Sequence, residues 1–134
     1  MYAAALAALA PSTFECFCTR REIAEAASAP HGSMARYPGT CRNLTKAQRA
    51  ERRRARAPAL RVRADGAEQT ITDLVHGTVT GVVDDVVVRR NDGVAAYHLA
   101  VVVDDGDTEV DQVVRGDDLL ASAVGQAYLA RLLG

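Results

Sequence analysis

Cys16 and Cys18, in "FECFC", and Cys41, in "YPGTC", are the only cysteines of the 134-residue chain. Two thiolates at i and i+2 can reach one ion when the chain turns around it. A third, placed after the turn-forming pair Pro38-Gly39, makes a soft three-sulfur set suited to zinc. A tetrahedron needs a fourth ligand. Imidazole is the usual partner, which makes His31 the first candidate by ligand preference. Tyr37, four residues before Cys41, is chemically less expected, because a phenol with a pKa near ~10 must lose its proton to bind well. The plainer alternative is three buried structural thiols; CxC alone is a weak signal, and the third cysteine after a tight turn strengthens it. Disulfides are disfavoured by the odd count and by the expected compartment. "MYAAALAALAP" lacks the basic start and the apolar length of a signal peptide, so a cytoplasmic protein is expected. No run approaches a membrane-spanning length, and no membrane partner is expected.

These residues need elements to hold them. Residues 2–9 read as the back half of an Ala/Leu helix stopped by Pro11, and its lack of a first turn suggests that a longer chain once preceded it. Thr19-x-x-Glu22 and Thr45-x-x-Gln48 are capping-box patterns. The first opens a helix directly after the CFC pair; the second opens an arginine-rich helix that Pro58 ends. "APHGSMARYPGT" between them reads as loop. Beyond Pro58 the period changes. "ALRVRA" alternates, "TITDLVHGTVTG" is β-branched with glycines at 77 and 81, and "VVVRR-NDG-VAAY" reads as strand, turn and strand. "LAVVVDD" suits a buried strand or the start of a helix, and periodicity does not separate the two. "EVDQVVRG" reads as a further short strand, and "DDLLASAVGQAYLARLL" as an amphipathic helix closed by Gly134.

A chain of this length is expected to form one domain, burying roughly two-thirds of its unfolded surface. With 49% apolar and 25% charged residues its composition is globular rather than disordered. The net charge of −1 gives no overall pull towards nucleic acid or membrane. The charge is uneven, however: "RAERRRAR" at 49–56 sets five arginines against one glutamate. That run is most simply a solvated helix face, and its functional reading is a contact to RNA phosphates.

Taken together, "CFCTRREIAEAASAPHG", "YPGTCR", "PALRVR", "YHLAVVVDD" and "VVRGDDLL" resemble the glutamyl-queuosine tRNA(Asp) synthetases. These are short relatives of glutamyl-tRNA synthetase within class I, and the resemblance runs over nearly the whole chain. It implies an α/β fold: part of a class I nucleotide-binding, Rossmann-like catalytic domain with a parallel sheet. A zinc-bearing insertion is expected at about 12–58, followed by a β-rich and second-half Rossmann segment at about 59–134. It implies one zinc held by Cys16, Cys18, Tyr37 and Cys41, which displaces His31 from the preferred ligand set. The implied activity is ATP-dependent activation of glutamate and its transfer to queuosine in the anticodon loop of tRNA(Asp). Tyr97 in "AAYHLA" and Arg115 in "VVRGDD" match the glutamate-binding positions, and an arginine is a rigid two-pronged partner for a carboxylate. The partners expected are therefore glutamate, ATP and queuosine-bearing tRNA(Asp), with the protein a monomer. Asn43, where full-length zinc-binding relatives can carry a histidine, and the short "SAPHG" loop side with the shorter enzyme. Val101 stands where many full-length relatives have an asparagine.

The HIGH-type and KMSKS-type motifs of class I enzymes do not occur in the sequence, and its single lysine, Lys46, lies in a capping box. No catalytic residue is therefore assigned, and the isolated chain is expected to be inactive in glutamate activation. Two further readings stand beside the first: part of a ligase that charges tRNA(Glu), and a non-catalytic zinc module that binds RNA.

Overall fold

The computed structural model describes residues 1–27 and 36–134, with residues 24–27 described by backbone alone. His31 and the "SAPHG" loop lie outside the described residues.

Helix α1 (Tyr2–Leu9) runs into a 3-10 turn at Ala10–Ser12, where Pro11 ends the α-helical ladder. Strand β1 (Thr13–Cys16) follows, then α2 (Arg20–Ala27) and α3 (Lys46–Ala55). Both expected capping boxes are formed. The Thr19 hydroxyl accepts from the Glu22 amide at 3.1 Å while Glu22 Oε2 accepts from the Thr19 amide at 3.1 Å. Thr45 and Gln48 repeat the exchange at 3.1 and 2.9 Å. Each cap stabilises its helix by about 1 kcal/mol.

The second half carries β2 (Ala59–Val62), β3 (Glu68–Asp73), β4 (Gly77–Val82), β5 (Val87–Arg89), α4 (Tyr97–Asp107) and α5 (Leu120–Leu133). Strands β1, β2 and β5 form one sheet in that order, and β3 pairs with β4 in a separate hairpin. All the described pairings are antiparallel. The parallel nucleotide-binding sheet that goes with the expected fold is not built by these strands. Strand β1 aligns Thr13 with Val62 and Cys16 with Ala59, so segments from either side of Pro58 share a sheet.

Two stretches differ from the sequence reading, and a third, left open between strand and helix, is decided. The Asn91-Asp92-Gly93 turn forms, with Gly93 in the left-handed region (φ 87°) and the Arg90 amide bonded to the Val94 carbonyl at 2.8 Å. Its second strand stops at one bridge, Arg89 to Ala95, because Ala96 caps helix α4. "LAVVVDD" is helical: Leu99, Val102 and Val103, at i, i+3 and i+4, all pack on the main core. "EVDQVVRG" is irregular, for no described strand lies beside it to complete a ladder.

The main core gathers Leu9, Val62, Val88, Leu99, Val124, Tyr128 and Leu129 from α1, β2, β5, α4 and α5. Phe14, Cys16, Phe17, Tyr37 and Cys41 form a second, smaller core. The thiols thus sit in a cluster of their own. A core so small is poorly suited to holding the Tyr37–Cys41 segment by apolar burial alone.

Candidate metal centre and adjoining cleft

Period-2 alternation in β1 buries Phe14 and Cys16 on one face and leaves Thr13 and Glu15 on the other. The chain then turns, bringing Cys18 back towards the same point. From the other side comes the segment Tyr37–Cys41. Gly39 adopts φ 81°, a conformation that side-chain-bearing residues rarely accept, and the Arg42 amide closes the turn on the Gly39 carbonyl at 3.1 Å.

The three sulfurs all lie within 4.8 Å of one another, and Cys18 Sγ is 3.5 Å from Cys41 Sγ. Tyr37 Oη lies 3.4 Å from Cys16 Sγ and 4.0 Å from Cys18 Sγ. The three cysteines singled out by spacing, and the tyrosine that the family resemblance added, therefore lie together. A tetrahedral ion with bonds of about 2.3 Å to sulfur sets its sulfur ligands about 3.8 Å apart, and the 3.4, 3.5 and 4.0 Å contacts lie close to that spacing. The donors fit a metal ion.

The electrostatics of these groups diverge. Burial pushes the Cys16 thiol up, but hydrogen bonds from Tyr37, the Cys18 backbone and Arg61 outweigh it and hold the thiol below its ordinary range. Burial, then the neighbouring Cys41, pushes Cys18 up to about 12. Burial and the Cys16 contact likewise raise Tyr37. Clustered thiols do not ionise together unaided, and a divalent ion among them reverses this.

Two aspartates anchor the Tyr37–Arg42 segment. Both Asp84 carboxylate oxygens accept from the Tyr37 amide at 3.2 Å. Asp85, 1% exposed, receives the Arg42 Nε at 2.6 Å and the Ala64 amide at 2.9 Å, and pairs with the second arm of the same guanidinium. Arg61 donates to the Asp85 carbonyl at 2.7 Å and lies 3.9 Å over the Tyr37 ring. The sequence reading passed over this Asp84-Asp85 pair. "VVDDVVV", a paired acid inside an apolar run, was the one available signal, since buried carboxylates almost always have a partner.

Tyr97 opens α4 and is exposed, and its ring meets the His98 ring edge-on at 5.7 Å. It lines a cleft of about 630 Å³ together with Cys16 and Cys18. Arg115 lines two other hollows, beside Asp73 and Asp117. Buried Gln126 links the two neighbourhoods. Its carbonyl oxygen accepts from Arg115 Nη1 at 2.7 Å, and its amide nitrogen lies 3.3 Å from His98 Nδ1. Asp104, for which no acid–base role is assigned, accepts the Tyr2 hydroxyl at 2.7 Å and ties α1 to α4.

Burial, helped by the Arg115 charge, holds His98 below the ordinary histidine value of 6.5. In the native state it therefore stays neutral while the unfolded chain takes up a proton. The stability it contributes is present above about pH 6.5 and is lost as pH falls through the lower native value. A pH titration of the His98 ring by NMR should place its midpoint below that of exposed histidine. A midpoint above 6.5 would contradict the burial argument.

The family model described as "tRNA synthetases class I (E and Q), catalytic domain" matches residues 6–134. The chain belongs to this family. All six candidate residues of the class I chain, from Cys16 to Arg115, fall inside the matched stretch. Proteins named glutamyl-Q tRNA(Asp) synthetase from Nocardia farcinica, Cutibacterium acnes and Deinococcus radiodurans are 63%, 56% and 46% identical to it. The matches cover 91%, 100% and 100% of this chain but 40%, 38% and 46% of those relatives. The glutamate-tRNA synthetase of Elizabethkingia anophelis and a glutamate tRNA ligase of Elizabethkingia meningosepticum, solved with its amino acid, superpose with TM-scores of 0.77 and 0.76. Both comparisons cover 99% of this chain and 30% of theirs, at 21% identity, and so speak to the fold alone. No helix among the described residues is long and apolar enough to cross a membrane.

Proposed function

We propose that this chain supplies the zinc centre and part of the glutamate pocket of a synthetase that activates glutamate with ATP. That synthetase then transfers glutamate to queuosine in tRNA(Asp). The observation that carries the reading is the 63% identity to a glutamyl-Q tRNA(Asp) synthetase over 123 residues that include the whole metal cluster. Zinc is the proposed metal because three clustered thiols and one adjoining phenol form a closed, sulfur-rich set, as in structural rather than catalytic sites. When bound, it would cross-link the turn after β1 to the Tyr37–Cys41 segment. Tyr37→Phe is expected to weaken zinc binding less than loss of any cysteine, since water can take the fourth position; a competition titration against a chelator ranks the variants.

Tyr97 and Arg115 are proposed to face the amino acid. A guanidinium prefers a carboxylate to an amide, which gives glutamate its advantage over glutamine. The test is a hybrid in which this chain replaces the matching stretch of the Nocardia farcinica relative. Glutamate-dependent ATP–pyrophosphate exchange should fall by roughly 30-fold or more on Arg115→Ala, the lower end of 2–5 kcal/mol for an orphaned charge partner. Arg115→Lys should also be poor, with ATP affinity little changed. The hybrid should glutamylate queuosine-bearing tRNA(Asp). Charging of tRNA(Glu) with tRNA(Asp) ignored would overturn the reading.

A further inference from the structure

The cleft that joins the cysteine cluster to Tyr97 has a one-sided charge. Arg20 at the start of α2, Arg56 at the end of α3, Arg61 on β2 and Arg90 after β5 all line it. No Asp or Glu lines it among the described residues. Of the four, Arg90 is paired with a carboxylate, Asp92, at 2.7 Å on the exposed rim, where such a pair is worth little. Three thiolates and the Tyr37 phenolate around a divalent ion would add two net negative charges beside the cleft, which four guanidiniums exceed.

We propose that this cleft is the seat of a single-stranded RNA segment, with its phosphates on Arg20, Arg56, Arg61 and Arg90 and its reacting base delivered towards Tyr97. The proposal rests on the functional reading above, which places glutamate at Tyr97, and it names the surface that brings the acceptor there. Guanidiniums contributed by four separate elements suit a chain of phosphates better than one compact anion, to which they would have to converge. An open groove with basic walls and an exposed aromatic at one end is the arrangement that holds unpaired nucleotides, whose bases can be turned out of the stack. An anticodon loop presents such nucleotides. The arginines of α3 that point elsewhere, Arg52 and Arg54, do not line the cleft.

The test uses the full 134-residue chain loaded with zinc and a fluorescein-labelled RNA hairpin bearing the anticodon loop of tRNA(Asp), read by anisotropy at several salt concentrations. The expected slope of log affinity against log salt is about −2 to −3, for three to four phosphates at about −0.7 each. Each of Arg20→Gln, Arg56→Gln and Arg90→Gln should flatten it by about one phosphate's share, and the triple variant should bind roughly tenfold or more weakly. Arg61 is left intact because it also packs on Tyr37. Arg52→Gln with Arg54→Gln should bind like the parent. Circular dichroism melts check folding, and if the triple variant is unstable the three single variants carry the comparison. Parent-like binding by the cleft variants would overturn the proposal. So would equal binding of a fully paired duplex, or displacement of the hairpin by ATP with the same dependence on these arginines, which would make the cleft a nucleotide site. Binding is read without glutamate or turnover. A hybrid that fails to glutamylate tRNA(Asp) therefore leaves this measurement standing, and a failure here leaves the glutamate assay standing.

Discussion

Cys41→Ser is expected to abolish binding of the proposed zinc and to loosen the Tyr37–Arg42 segment against β1. Cys41 is 2% exposed, its sulfur lies 3.5 Å from that of Cys18, and it accepts the Phe17 amide at 3.4 Å. It is therefore both a proposed ligand and the link between the two halves of the site. Structural zinc in small domains contributes an apparent ~10–16 kcal/mol near neutral pH, as much as the whole stability of an ordinary domain at about 5–15 kcal/mol. The second core, five buried residues including two of the thiols, has little apolar area to replace it. Metal analysis of protein purified without added zinc should find one ion per parent chain and markedly less in the variant. Near-UV dichroism around Tyr37 should collapse in the variant, and in the parent on chelation. A Cys41→Ser protein that keeps a full zinc complement would sink the site.

The second large effect is expected at Asp85. Asp85→Ala removes the partner of the Arg42 guanidinium and leaves the Ala64 amide without an acceptor. Breaking a buried ion pair from one side costs about 3–5 kcal/mol. The Arg42 side chain is 30% exposed, so water recovers part of that loss and the lower end of the range is expected. Asp85→Asn keeps an oxygen for the Ala64 amide and should cost less, about 1–3 kcal/mol. Because Arg42 directly follows Cys41, zinc affinity should fall along with stability in both variants. Urea unfolding gives the first quantity and chelator competition the second. A double-mutant cycle with Arg42→Ala isolates the pair from the amide contact. If zinc affinity is unmoved while stability falls, Asp85 fastens the fold and not the metal site.

These two expectations divide along the line between what the sequence specifies and what folding adds. The capping boxes at Thr19 and Thr45 and the Asn91-Gly93 turn were readable because each depends on residues within about four positions of one another. The CxC pair and the glycine turn before Cys41 were readable for the same reason. Strand β1 was missed, since four residues with two buried side chains carry too little periodicity to register. "LAVVVDD" was ambiguous because a run of valines fits a strand by propensity, and only the packing of Leu99, Val102 and Val103 on the core makes it a helix.

The site shows the same division. Residue types and spacing singled out Cys16, Cys18 and Cys41 as a metal-binding set, because thiol chemistry is carried by the residues themselves. Family resemblance added Tyr37, Tyr97 and Arg115. That Tyr37 lies 3.4 Å from Cys16, that Asp84 and Asp85 pin the loop carrying it, and that Gln126 joins Arg115 to His98 are decisions of the tertiary structure. So is the gathering of Arg20, Arg56, Arg61 and Arg90 from four elements around one cleft, while the visible arginine run of α3 lies largely outside it. Local hydrogen bonding and turn geometry act over a few residues and are written in the order of the chain. Partners 11 to 47 residues apart are chosen by which buried charges and donors can be satisfied once the elements have packed, and that choice exists only in three dimensions.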